Sequence, residues 1–584
     1  MTMQTGGTRR HRFRGRVAIL LLLFTVISVA CAGRLVQIQV FQAHALDKQA
    51  AGKREVPVTL TAQRGRILDR NGKVLAETVT RYRLVIDQTV AAPVTTTEGK
   101  RTVKLSLNDI AAKVAAIVGG NAQDIRSKFT GKSRYQIIAQ DLTSSQYTKL
   151  NDLGVSWFVF ETTQKRIYPS GAVAGNLVGY LDGQTQPQSG VERMENTCLS
   201  GSDGKQTYER SATGIRLPGT TVTEKKVRNG KNVRLTIDRD LQWYVQQKLN
   251  DRQAELGSKW ITATVMDAKT GELLVAAETP SVDPNNVTGV DASDRGSRIF
   301  QSTYEPGSPI KMITAVTALE QGTATAESKY IAPNSFDTGA GHSISDAWSH
   351  GPLQLTLAGI LMYSSNTGII QVGKTVSDES RYNNLQAFGF GQPSGIGFPA
   401  EASGVLHPWQ KWDTITHFTT MFGQGMTATP IQMVSAYQAL ANGGVKVSPS
   451  LVASCGSKKT KSTSKRILPA NVAKETIGML EQIVYKYDAK PAQISGYVLA
   501  AKTGTSQIAS SSGGYEKNHY VTSVMFIAPA NNPRYVVGIT VYDPQTEKTS
   551  AGTMTLAHDI LTQVLTTEKV APDNAQPVDD AVTW

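Results

Sequence analysis

The stretch YEPGSPIKMITAV, residues 304–316, places Ser308 three positions before Lys311, between a turn-forming Glu-Pro-Gly and an apolar run. Two readings compete: Ser308 is a helix cap that happens to precede a lysine, or a nucleophile beside its own base. Pro309 suits the first turn of a helix, where its missing N–H is not needed. Positions i and i+3 share a helix face, so Lys311 lies one turn above the Ser308 hydroxyl. The apolar run that follows would bury the amine, and burial lowers a lysine pKa towards that of a usable base. A helix N-terminus also turns backbone N–H groups towards a developing oxyanion. The same S-x-x-K spacing recurs at Ser202/Lys205, in a glycine-rich turn, and at Ser462/Lys465, in a basic loop. Neither offers this setting, but the tetrapeptide by itself does not decide.

Two further motifs follow in order. SSN (364–366) ends the apolar helical run LAGILMY, so Ser364 and Asn366 are predicted to project into a cleft. KTGT (502–505) lies at the end of a strand-like run over 496–503, and Gly504 would let a substrate backbone approach closely. Each pattern has a second copy in a less suitable place. Ser106/Asn108 lies far upstream, and Lys269-Thr270-Gly271 reads as a hairpin turn.

The chain around these motifs has 584 residues, 40% of them hydrophobic and 18% charged, which suits about two to four packed domains. The net charge of +14 is partly local, with Arg9, Arg10, Arg12, Arg14 and Arg16 in one short segment. There is no basic stripe interleaved with aromatics, and nucleic acid is not an expected partner. After those arginines, residues 17–33 carry no charge. Arg16 and Arg34 can snorkel and Leu35, Val36 and Ile38 extend the apolar face, so residues 17–36 are predicted to be a single-pass membrane anchor. Arginines before it place residues 1–16 in the cytoplasm and the rest outside. The rival is a signal peptide cleaved near Ala30-Cys31-Ala32, which exports the same residues. An oxidising exterior permits a Cys198–Cys455 bridge. The sequence does not bring the two together, and two free thiols are the expectation.

A polar helical stretch is expected up to about residue 52. Residues 50–229 then read as an N-terminal module, with the Asn-Gly turn LDRNGK at 68–73 and an amphipathic helix over 110–118. From residue 230 to 570 the pattern changes. Strands are expected at 233–238, 261–268, 496–503, 520–528 and 534–542. Helices are expected at 238–256 (Asp238 as N-cap), from Ser308, and at 353–363 and 430–442. Helices between two groups of strands give an α+β domain with a central antiparallel sheet flanked by helices. Residues 456–465 read as a basic loop and 571–584 as a disordered tail.

Ser-x-x-Lys, Ser-x-Asn and Lys-Thr-Gly in this order resemble the motifs of serine β-lactamases and penicillin-binding proteins. The likeness extends to RGRILDRNGKVLA (64–76), RIYPSG (166–171), AGNLVGYLDG (174–183), SGVER (189–193), LTIDRDLQ (235–242), FGFG (388–391) and GQGMTATPIQMVSAYQALANGG (423–444). The chain thus resembles the class B penicillin-binding proteins, the membrane-anchored D,D-transpeptidases of peptidoglycan synthesis. GRLVQIQVFQ after the anchor looks most like their septal, FtsI-type members. The resemblance implies an elongated pedestal module related to the dimerisation domain of that family, followed by a penicillin-binding transpeptidase domain. It makes Ser308 the acylated nucleophile and Lys311 its base. Ser364 relays a proton to the leaving D-alanine, and Asn366 holds the substrate amide. Lys502 supplies positive charge, Thr503 and Thr505 hold the substrate carboxylate beside Gly504, and the backbone N–H groups of Ser308 and Thr505 form the oxyanion hole. It implies no cofactor and no metal. The implied partners are peptidoglycan stem peptides on a lipid-linked precursor or nascent glycan, β-lactams as covalent inhibitors, a membrane glycan polymerase and other division proteins, with the division septum as the place. Ala501 stands where many members have Gly and adds only a methyl.

Rival classes are a D,D-carboxypeptidase or β-lactam hydrolase, and a β-lactam sensor or scaffold retaining the fold. Only about 16 residues precede the apolar helix, short for a signalling domain, and all three motifs stand intact. His342, Asp346 and His350 are spaced four apart, as if on one helix face. The flanking Gly341 and Gly351 argue against a helical metal site there. Trp409 and Trp412 read as rim or core residues, and RGRILDRNG as an element of the fold.

Overall fold

The computed structural model describes residues 8–43, 46, 54–98, 101–211, 216–339 and 341–584, so the stretch expected to be helical up to residue 52 falls partly outside them. Helix α1 (Thr8–Val36) continues into a π-helical turn, Gln37–Phe41. Its apolar side chains from Val17 onward are not covered by protein. Arg14–Phe41 is long and apolar enough to cross a membrane. The chain divides into two compact units, Met1–Ala62 with Gly201–Asn229, and Gln63–Ser200 with Gly230–Trp584. In the smaller unit, Glu55–Leu60, Gly204–Glu209 and Val222–Lys225 form a three-stranded antiparallel sheet.

The larger unit opens with β1 (Ile67–Leu68), the long β2 (Val74–Ile86), β3 (Gln136–Leu142) and β4 (Phe158–Ile167). β2 pairs antiparallel with each of the other three. Leu84 and Ile86 of β2 pack with Ile110, Val114, Phe129, Leu150 and Trp157 in a core separate from the one around the catalytic motifs. β5 (Val233–Leu235) pairs parallel with β1 and antiparallel with Val452–Cys455, which continues the sheet.

That pairing corrects the expectation for the cysteines. Val233 lies opposite Cys455, and the Lys231 N–H donates to the Cys198 carbonyl, so Cys198 is brought against its partner. The two form a disulfide across 257 residues of chain. RGRILDRNG behaves as the expected element of the fold. Asp69, fully buried, accepts the N–H groups of Asn71, Lys73 and Arg239. Arg64 Nε and Arg166 Nε reach the two carboxylate oxygens of Glu192 at 2.6 and 2.7 Å.

Helix α2 (Arg239–Leu256) starts at Asp238, whose carboxylate accepts the N–H groups of Asp240 and Leu241, and ends on a left-handed Gly257. It packs on a five-stranded antiparallel sheet built from β6 (Trp260–Asp267), β7 (Leu273–Thr279), β8 (Ala500–Ala509), β9 (Tyr515–Ala528) and β10 (Tyr535–Tyr542). Their order is β7-β6-β10-β9-β8, which leaves β8 at an edge. Helices α3 (Lys311–Glu320), α4 (Leu357–Tyr363) and α5 (Asn366–Gly373) pack on one another, α6 (Pro430–Ala441) and α7 (Ala470–Lys486) pack on the sheet, and α7 also meets α3 and α4. α3 is buried from Lys311 through Leu319, the mark of a helix in the middle of a domain. α8 (Ala551–Thr567) packs with α2 and the sheet.

Three expectations change. Residues 353–356 form a strand with Lys329–Ala332, and the helix begins only at Leu357 because Thr356 caps it. Within the basic loop, short strands Lys458–Lys459 and Ser464–Arg466 pair with neighbours. Residues 571–584 are not a loose tail. The Val578 N–H donates to Glu481 and its carbonyl accepts from Gln482, while Thr356 bonds the carbonyls of Ala581 and Val582. Polar composition suggests disorder, yet backbone groups here find partners on α7 and at the start of α4.

Glu192 is fully buried between two arginines that are themselves 13% and 5% exposed. Removing one partner of such a pair leaves charge without compensation. Glu192→Ala should therefore cost about 3–5 kcal/mol in a urea titration of the folded chain. A loss under 1 kcal/mol would mean that water already screens the arginines.

Candidate active site

The turn that presents Ser308 depends on two glycines. Gly307 has φ +63°, and a Cβ on Gly423 would sit 2.3 Å from the Gly307 carbonyl oxygen. Gly423 opens the GQGM stretch, which is why that stretch can lie against the turn. Ser308–Ile310 make one 3₁₀ turn with Pro309 in it, and α3 starts at Lys311. The expected helix from Ser308 is thus a tighter turn running into an α-helix. Lys311 Nζ lies 2.9 Å from Ser308 Oγ.

Ser364 ends α4 in the left-handed region, φ +57° and ψ +33°, although it is not glycine. That conformation turns both its carbonyl and its hydroxyl towards Lys311, whose Nζ donates to the carbonyl and lies 3.3 Å from Oγ. Lys502 Nζ approaches the same hydroxyl from β8, at 2.9 Å. Ser308, Lys311, Ser364 and Lys502 therefore form an unbroken chain of polar contacts. Both lysines are fully buried. Burial holds the Lys311 ammonium well below the usual lysine range, the charge of Lys502 adds to this, and Asp346 opposes it. Burial also brings Lys502 down to about 8, against an opposing pull from Asp488.

Edge strand β8 forms one wall of the cleft. A Cβ on Gly504 would meet Pro309 Cδ at 2.6 Å and Ser523 Oγ at 2.7 Å. Gly504, which lines the cleft, thus serves a purpose beyond the one read in the sequence: it lets the nucleophile's own turn pack on the strand. Thr505 is exposed, whereas Thr503 is buried and donates its hydroxyl to Asp488 at 3.0 Å. The cleft holds about 620 Å³ and is lined by Ser308, Ser364, Asn366, Thr503, Gly504 and Thr505. Trp348, Tyr363, Phe422 and Tyr487 supply an aromatic surround, and Asp488 stands at the wall. Sequence reasoning assigned none of these five to the site, because they come from four separate segments with no shared motif.

His342, Asp346 and His350 do not lie on a helix. Ser343–Ser345 is a strand, His342 is exposed, and Asp346 turns inward. Among the described residues no group of three or more His, Cys, Asp or Glu is arranged to hold a metal ion. Of the duplicate motifs, Ser106 caps a helix, Ser202 pairs in the smaller unit, and Lys269 and Thr270 offer their N–H groups to Asp267 in a turn. Trp412 donates to the His407 carbonyl, covers Arg381 and packs half-buried against the core.

Residues 261–562 match the family model described as the penicillin binding protein transpeptidase domain, and residues 59–235 match the penicillin-binding protein dimerisation domain. The chain belongs to this family of penicillin-binding transpeptidases, in its class B form. Penicillin-binding protein PbpB of Mycobacterium tuberculosis is 32% identical, over 97% of this chain and 87% of that protein. Peptidoglycan D,D-transpeptidase FtsI of Escherichia coli is 26% identical, over 93% and 90%. Among solved structures, penicillin binding protein 3 of Mycobacterium tuberculosis complexed with aztreonam superposes with a TM-score of 0.68 and 27% identity, covering 90% of this chain and 100% of that one.

The left-handed Ser364 stores strain that a glycine would not. A residue with a Cβ costs about 1–2 kcal/mol in this region. Ser364→Gly and Ser364→Ala both lose the hydroxyl, yet the glycine variant should be the more stable by about 1 kcal/mol. Thermal melts of the two would show it, and equal midpoints would mean that Ser364 is not held left-handed in solution.

Proposed function

We propose that this chain is a peptidoglycan D,D-transpeptidase that forms an acyl-enzyme on Ser308. The observation that carries the reading is the contact chain from Ser308 Oγ through Lys311 Nζ and Ser364 Oγ to Lys502 Nζ, lying along a cleft. Neutral Lys311 has two N–H bonds and one lone pair. The Ser364 carbonyl takes one N–H, and the lone pair is available to the Ser308 proton. Ser308 Oγ attacks the carbonyl carbon of the D-alanyl-D-alanine bond as its proton moves to Lys311. The N–H groups of Ser308 and Thr505 receive the oxyanion. The tetrahedral adduct collapses with cleavage of the C–N bond. Lys311 returns the proton to the leaving nitrogen through Ser364, and D-alanine departs.

Charged Lys502 donates to Ser364 Oγ, as does Lys311, which leaves that hydroxyl's own proton free to point into the cleft towards the leaving nitrogen. Asn366 holds the substrate amide. Thr505 binds the terminal carboxylate, joined by Thr503 once its hydroxyl turns from Asp488. In the second half, an amine of a neighbouring stem peptide attacks the ester and gives its proton to Lys311; the acyl C–Oγ bond then breaks as Lys311 returns a proton to Ser308. An amine is a far better nucleophile than water when the cleft positions it. β-Lactams enter as acylating analogues of the donor, a reading supported by the solved structures of the Mycobacterium tuberculosis relative complexed with aztreonam and with ampicillin.

The similarity to FtsI supports a septal role in division, with a membrane glycan polymerase and other division proteins as partners. The apolar helix supports a single-pass anchor over residues 17–36, with residues 1–16 cytoplasmic and the catalytic domain outside. Residues 50–229 then serve as the pedestal and residues 230–570 as the transpeptidase domain.

Fluorescent penicillin should label Ser308, and Ser308→Ala should abolish the label. Lys311→Arg should slow acylation by about 10²–10⁴-fold, since arginine cannot take the serine proton. Wild-type acylation should rise with pH as Lys311 loses its proton. It should fall above about pH 8 as Lys502 loses its charge. Lys502→Arg keeps that charge and should remove the falling limb. A falling limb still near 8 in Lys502→Arg would transfer it to another group.

The penicilloyl ester should outlast removal of free drug, because the fused ring remnant stays attached and blocks the acceptor side. Between Asn366 and Lys502 the chain has no Glu-x-x-Leu-Asn element to activate water. Decay within seconds, with steady turnover of drug, would make this chain a hydrolase.

A further inference from the structure

None of these steps uses Asp346, although its carboxylate is fully enclosed beside the site. Oδ1 accepts the backbone N–H groups of Asn366 and, at 3.0 Å, Thr367. Oδ2 accepts the Ser365 hydroxyl at 2.6 Å and lies 3.0 Å from His350 Nε2, with Thr367 Oγ1 at 3.5 Å. One side chain thus holds every residue from Ser365 to Thr367. Ser365 joins Ser364 to α5, and Asn366 and Thr367 open that helix, so these bonds fix the chain directly after Ser364. Asp346 directly follows the strand Ser343–Ser345, whose Ser345 carbonyl accepts from Asn366 Nδ2 at 3.0 Å.

We propose that Asp346 is a positioning residue for the Ser-Ser-Asn motif: its carboxylate fixes the backbone that aims Ser364 and Asn366 into the cleft, and supplies a buried negative charge near Lys311. The proposal rests on the acyl-enzyme reading above and adds a residue to it. The two oxygens divide the work. Oδ1 serves the start of α5, where four N–H groups lack helical partners. Oδ2 ties down Ser365, which caps the same helix through the Gly368 N–H. The charges facing this group are few. His350 lies against Asp346, and its other ring nitrogen, Nδ1, is 2.6 Å from the Gly351 carbonyl oxygen. Lys311 feels Asp346 as an influence that raises its pKa, opposite in sign to burial and Lys502. Tyr487 is raised by burial, Asp488, Tyr363 and Asp346, in that order. Asp488 faces Lys502.

Two substitutions separate geometry from charge. Asp346→Ala removes both anchors, and a misplaced Ser364 should lower the acylation rate constant for fluorescent penicillin by about 10²-fold. Asp346→Asn keeps an oxygen for the two backbone N–H groups but loses the charge. Its plateau rate should stay within about tenfold of wild type. Its rising pH limb should move to lower pH, because Lys311 loses an influence that raised its pKa. A purely structural contact would not move that limb. An Asp346→Ala rate within about twofold of wild type would overturn the proposal, as would an Asp346→Asn limb that coincides with wild type. If Asp346→Ala does not fold, the Asp346→Asn profile decides alone. Wild-type protein that takes no label at Ser308 would instead sink the acyl-enzyme reading, so the two failures are distinct.

Discussion

Two amines taken out of water and turned on one hydroxyl set the terms for the rest of this catalytic lobe. Lys311 and Lys502 are fully buried and both reach Ser364 Oγ. Burying an ammonium is costly, and the group lowers its pKa rather than carry the whole penalty. The surrounding structure must be rigid enough to hold that state. An all-antiparallel sheet and a helix buried along nearly its whole length provide this rigidity. Lys311 comes from the helix and Lys502 from the sheet's edge strand, so the site exists only where these two layers meet.

The same logic explains the small residues around the nucleophile. Gly423 and Gly504 each occupy a place where a Cβ would strike the Ser308 turn, one at Gly307 and the other at Pro309. They bring the backbone of two other segments within reach of Ser308. The left-handed Ser364 is the corresponding strained position on the third segment, held by bonds from Lys311 on one side and by its neighbours' bonds to Asp346 on the other. Strain of this kind persists only where the surroundings over-determine it. Such a site is pre-organised for chemistry at the expense of stability.

Further from the cleft, long-range contacts join segments that are remote in sequence. The disulfide links Cys198 to Cys455 across the sheet that β1 and β5 share. Glu192 gathers Arg64 and Arg166. The last residues lie along α7 and reach Thr356, the cap of the helix that ends at Ser364. These contacts give the catalytic lobe a frame that no local propensity would supply.

Much of this was legible in the sequence, for local reasons. The α+β class, the sheet strands at 261–268, 520–528 and 534–542, and the cap at Asp238 follow from periodicity and capping chemistry. The three motifs were legible because their own neighbours define the element that carries each: a helix start for Ser308, a helix end for Ser364, and a strand for Lys502, which runs on to Ala509 where the sequence suggested an end near 503. What sequence could not decide depends on segments distant in the chain. Cys198 meets Cys455 only through strand pairing. The apparent helical spacing of His342, Asp346 and His350 gives way to a strand over 343–345, and Asp346 turns inward to accept the N–H groups of Asn366 and Thr367 and the Ser365 hydroxyl, donors that lie about 20 residues further along the chain. The packing of Gly504 against Pro309 likewise depends on a segment far away in the chain. Residues 571–584 are polar enough to read as disordered, and they are ordered by backbone partners on α7 and at Thr356. The sequence by itself determined which side chains could do the chemistry. Only the tertiary structure decided how far apart they stand and which charges face them, because distance and burial depend on the whole fold.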